Sequence, residues 1–91
     1  MSSYLTEAKP QCWRAVAIFE DRREALLFLG RSSAQVRAGY VNAFNDVLDE
    51  EERAQIRSIS LQRWNGAPDA GKWLQQTTLA VPAPKLVRAA A

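Results

Sequence analysis

The sequence predicts an α+β fold in the order ββαββ, a four-stranded, largely antiparallel sheet with one main helix on one face. Three observations lead there. Residues 32–47 repeat their apolar side chains at the spacing of one helix face. The runs on either side of that segment come in pairs with strand character, and a polar break or a turn-rich stretch separates the members of each pair. Elements of this kind bury their apolar faces by layering a helix on a sheet.

Residues 1–10 carry no period and end at Pro10, which reads as a flexible leader; the domain then spans residues 11–82. From Cys12 to Glu20 the chain is rich in aromatic and β-branched residues. Trp13, Ala15, Ala17 and Phe19 fall on one face and Arg14, Val16 and Ile18 on the other, as in a strand covered on both sides. Glu20-Asp21-Arg22-Arg23 is a polar break, and Glu24–Arg31 reads as the second arm of a hairpin. Residues 22–29 also fit a short helix, because Asp21 with Glu24 matches a capping box and Gly30 suits a helix C′ position. The strand is preferred, since eight residues are short for a helix and Gly30-Arg31-Ser32 suits a strand running into a cap.

Ser32 is a favoured N-cap with Gln35 three residues on. Val36, Tyr40, Ala43, Phe44, Val47 and Leu48 follow as one apolar stripe. Gly39 costs this helix about 1 kcal/mol relative to alanine, which suggests a close approach to the sheet. Asp49–Gln55 reads as a second N-cap and a short helical turn, with acids where the helix dipole favours them. From Arg57 the period becomes two: Ile59 and Leu61 lie on one face, Ser58, Ser60, Gln62 and Trp64 on the other. Residues 65–71 concentrate turn formers. Lys72–Val81 is the last strand, ended by Pro82 and Pro84, and residues 83–91 read as a flexible tail. Strand order is not legible; a β-grasp-like sheet with the first and last strands central is one option.

Composition narrows the function. The 91 residues contain no histidine and one cysteine, Cys12. An intrachain disulfide, the usual zinc sites and histidine-dependent triads are thereby excluded. The expectation is a protein that is not an enzyme and carries no metal and no cofactor. Nine arginines stand against three lysines at a net charge of only +2. Acids and bases are interspersed, without the one-sided basic stretch of a dedicated nucleic-acid binder. The longest apolar runs, Ala15–Phe19 and Ala25–Leu29, are far shorter than the roughly 20 residues of a spanning helix, so no membrane partner is expected. The start of the chain lacks the features of a secretory signal, which makes the cytoplasm the expected compartment.

Candidate sites are few. Asp49–Glu52 reads as helix-start acids facing water, Glu20 and Asp21 as turn acids, Cys12 as an unreactive thiol and Tyr40 as core. The four glycines match neither a phosphate-cradling loop nor a dinucleotide fingerprint. Trp64 and Trp73 bracket the turn-rich loop and Trp13 opens the first strand, which suits either cross-strand packing or a contact platform. Arg14, Arg57 and Arg63 lie on strands and could share a face with those rings, the pattern by which some sheets bind RNA or single strands.

The first two strands offer apolar residues on both faces, and one helix covers only one of them. Each such side chain contributes roughly 1.5–3 kcal/mol when fully buried, so the second face is expected to be shielded by an interface. The sequence therefore predicts a small interaction module, a homodimer that also has the means to hold a protein partner. Its contact residues are expected to be Trp13, Val16, Ile18, Leu26, Phe28, Trp64 and Trp73. Nucleic-acid binding through Arg14, Arg57 and Arg63 is the alternative.

Overall fold

Two hairpins and a helical connection organise the molecule. The structure, a computed structural model, describes residues 12–83; the expected leader, and the expected tail from residue 84 on, lie outside the described residues. Strands β1 (Trp13–Phe19) and β2 (Glu24–Gly30) form the first hairpin. Helices α1 (Ser33–Val47) and α2 (Glu50–Ala54) follow, and β3 (Ile56–Asn65) and β4 (Lys72–Leu79) form the second hairpin. The fold is the α+β ββαββ arrangement, and residues 24–30 are a strand and not a helix. All pairings are antiparallel, in the order β2-β1-β3-β4. The first strand is central, but the last is at an edge, so the β-grasp-like order does not hold. β4 returns through a short loop onto the outer side of β3, whose inner side is already paired with β1.

The core lies between α1 and one face of this sheet. Ala15, Ala17 and Phe19 of β1, Leu27 of β2, Ile59 and Leu61 of β3 and Leu79 of β4 meet Val36, Tyr40, Phe44 and Leu48. Ala15 and Ala17 leave room for the helix to settle low over β1. Gly39 does the same over β2: a Cβ there would stand 2.6 Å from the Phe28 ring. Tyr40 donates its hydroxyl to the Ala80 carbonyl at 2.7 Å, which fixes the chain just beyond β4.

Local capping explains where the helices begin and end. Ser32 accepts from the Gln35 amide, but the Gln35 side chain turns back to Arg31 instead of Ser32, so the box is only half formed. Asp49 and Glu52 form a complete capping box on α2. Arg53 donates to the carbonyls of Asn45 and Leu48, satisfying acceptors at the C-terminal end of α1 that the helix itself cannot.

Three bulges decide which side chains face where. Register shifts leave Leu27 of β2, Arg57 of β3 and Gln76 of β4 as extra residues. At the first, Ala15 pairs with Phe28 while Val16 pairs with Leu26. Leu27 and Phe28 consequently both pack toward the helix, and Leu26 and Leu29 take the other face. Phe28, expected on the uncovered face beside Leu26, instead packs against the core.

Candidate interaction face

Strand alternation aligns the side chains opposite α1 into rows across the sheet. Glu24, Ile18 and Ser58 form one row; Leu26, Val16, Ser60 and Thr78 the next; Leu29, Arg14, Gln62 and Gln75 the third. Trp64 and Trp73 pair directly across β3 and β4 at the end. This face divides into an apolar part over β1 and β2 and a polar, aromatic part over β3 and β4.

The apolar part is smaller than the strand runs imply. Val16 is only 2% exposed, sheltered by its neighbours without the helix, and Ile18 is half-buried. Leu26 and Leu29 are the exposed members, at 48% and 39%. Elsewhere among the described residues the exposed large apolar side chains are Val41, Val47, Leu74 and Val81, none of which sits on this face. Scattered single residues of that kind need no explanation; Leu26 and Leu29 beside Ile18 make a patch.

The polar part is tied together. Arg14 Nε donates to Gln62 Oε1 at 2.7 Å, and Gln62 Nε2 donates to Ser60 Oγ at 3.2 Å, which serves a hydroxyl oxygen that is almost fully buried. The Arg14 guanidinium lies 4.2 Å from the centre of the Trp73 ring, and Trp73 meets Trp64 edge-on at 5.3 Å. Partial burial pulls the Arg14 pKa below its ordinary value, and the charge of Glu24 opposes that shift. Trp64 is held from its far side: its indole N–H donates to the Ala67 carbonyl at 3.0 Å. Gly66, at φ +120, closes this loop, and a Cβ there would stand 2.6 Å from Gly71 Cα. The tryptophan pair is thus preorganised.

Of the residues singled out in the sequence, Val16, Ile18, Leu26, Trp64, Trp73 and Arg14 lie together on this face. Trp13 does not; it packs against the core on the helix side, with the Arg63 guanidinium 5.5 Å from its ring centre. Arg14 and Arg63 therefore sit on opposite faces, and Arg57 is the extra residue of a bulge. The three arginines do not form one basic platform. The alternation of the third strand placed Gln62 on this face, whereas Glu24, Leu29 and Gln75 were not singled out from the sequence. Alternation from Trp73 points to Gln75, but Leu29 reaches the face only through the bulge at Leu27.

A shallow groove opens on the helix side between Phe44, Asn45, Arg53, Val81 and Pro82. Arg53 is committed there to helix carbonyls, which leaves little convergent chemistry. Among the described residues no three of His, Cys, Asp and Glu come together as a metal site, and no helix is long and apolar enough to cross a membrane. No protein-family model, curated protein or solved structure matches the chain.

Proposed function

We propose that the chain is a small non-enzymatic interaction module that associates with a second copy of itself through the open face of its sheet. The exposed leucines, Leu26 and Leu29, carry this reading, because α1 packs on the other face and leaves them in water. Fully burying one leucine contributes roughly 1.5–3 kcal/mol. With Leu26 48% and Leu29 39% exposed, the two leave about 1.3–2.6 kcal/mol per chain unrealised, and a two-fold contact doubles that. Ile18 and the two tryptophans add to it. Against the entropy lost on association, a gain of this size supports a weak dimer, populated only at high chain concentration.

The full chain should therefore sediment with twice its 10.2 kDa at high micromolar concentration. Leu26→Ser with Leu29→Ser should weaken the dimer by about 10-fold or more while the circular dichroism stays unchanged. A wild-type chain that remains a monomer refutes the proposal.

One contact favours the second reading, nucleic-acid binding: Arg14 stacked on Trp73 beside Trp64 resembles the base-stacking and phosphate-pairing chemistry of single-strand binders. Glu24 on the same face and the displacement of Arg63 and Arg57 speak against it. Quenching of tryptophan fluorescence by an oligonucleotide at low salt, lost as salt rises, would transfer preference to this reading.

A further inference from the structure

Both outer strands are poor templates for edge-to-edge pairing. β2 and β4 each carry a bulge, at Leu27 and Gln76, and bulges of this kind turn an edge away from a prospective neighbour. Stacking of the open faces is the remaining way for two sheets to meet. The layout of charge on that face then selects one orientation.

Among the residues aligned on the face, one is acidic and one is basic. Arg14 lies two residues to one side of Val16. Glu24 pairs with Ile18, two residues to the other side. The two charges thus lie in rows about 13 Å apart along the strands, symmetrically about the Val16–Leu26 row. We propose that two copies stack open face to open face with their strands antiparallel, the two-fold axis running along the Val16–Leu26 row, so that Arg14 of each copy pairs with Glu24 of the partner subunit. The proposal rests on the self-association described above and specifies its geometry.

A half-turn about that axis places the Arg14 row over the partner's Glu24–Ile18 row. Arg14 then stands over the partner's Ile18, one strand spacing from the partner's Glu24, and Leu26 lies over its own copy. Packed sheets stand about 10 Å apart, a gap that an arginine and a glutamate reach across from opposite sides. The Arg14 side chain is already set for the task. Gln62 takes its Nε and Trp73 covers one flat side, and the terminal N–H edge of a guanidinium is what pairs bidentately with a carboxylate. The parallel stacking, with the axis along the strands, sets the Arg14 rows over each other and the Glu24 rows over each other. Like charges opposed in this way disfavour that arrangement.

The test uses the full chain at low salt, with Arg14→Glu and Glu24→Arg studied singly and as a mixture. Each variant alone opposes like charges twice per dimer and should dimerise at least about tenfold more weakly than wild type. Mixed in equal amounts they should form a heterodimer, because both pairs are restored between an all-acidic and an all-basic face; native mass spectrometry reads this directly. A substitution that merely damaged the fold would not be rescued by mixing. If Arg14→Glu does not fold, Glu24→Arg alone still decides, since it too must weaken the dimer. A wild-type dimer unchanged by either reversal, or a mixture with no preference for the heterodimer, overturns this geometry and leaves self-association standing. A monomeric wild type overturns both.

Discussion

Replacing Gly39 by alanine sets two effects of opposite sign against each other. In a helix interior alanine is favoured over glycine by about 0.8–1 kcal/mol. Here the new Cβ would stand 2.6, 2.7 and 3.0 Å from three atoms of the Phe28 ring, the first two closer than real contacts allow. The ring is packed against the core and must shift, and overpacking of that kind costs about 1–3 kcal/mol. The expected net change is a loss of about 1 kcal/mol, or roughly 4–8 °C in Tm for a domain of this size. Phe28→Leu removes the ring, so in that background Gly39→Ala should stabilise by about 1 kcal/mol. Urea unfolding of wild type, both single variants and the double variant, at one chain concentration, measures the coupling between the two positions. Equal stabilisation by Gly39→Ala in both backgrounds would refute the packing, and with it the bulge that turns Phe28 toward the helix.

Two further predictions concern the β1–β2 turn. Arg22 adopts φ 75 there, between Arg22 N–H to Phe19 carbonyl and Phe19 N–H to Arg23 carbonyl bonds of 2.9 Å each. This three-residue loop calls for a left-handed residue, so Arg22→Gly should be stabilising by about 0.5–1 kcal/mol in thermal unfolding, and a clear loss would contradict the turn. Asp21 accepts from the Arg23 amide at 3.1 Å and from the Arg23 side chain at 2.8 Å, and these bonds hold its pKa below the ordinary 3.8. Such a depressed carboxylate supports the folded turn above its unfolded pKa and ceases to do so as pH falls through the folded value. An NMR titration of the Asp21 carboxyl carbon should place its midpoint below 3.8, and one at or above that value would contradict the contact.

The legible parts of the chain were those where one signal repeated with a clear phase. Ser32 through Leu48 joins a cap to a 3.6-residue stripe, and α1 follows it except that Val47 stays exposed. The alternation from Ser58 to Trp64 placed Ile59 and Leu61 inward and Trp64 on the opposite face, where it pairs with Trp73 across the turn-rich loop that the two bracket. Glu24–Gly30 resisted because its run of apolar residues has no phase: any register buries something greasy, and only the pairing with β1 inserts the bulge at Leu27. That insertion moved Phe28 inward and Leu29 outward. Arg63 was misplaced for a simpler reason. It neighbours Trp64 in sequence, and adjacent strand residues point to opposite faces. The sheltering of Val16 depends on Arg14, Leu26 and Ser60 lying around it, a relation among three strands that no local pattern encodes.

The proposed association buries the open face against another copy, and an isotope-filtered NOE experiment reads that contact directly. In an equal mixture of carbon-13-labelled and unlabelled chains at high micromolar concentration, intermolecular NOEs should arise from the methyl groups of Ile18, Leu26 and Leu29. Their absence, or intermolecular NOEs confined to Val41 and Val47 on the exposed side of α1, would contradict it.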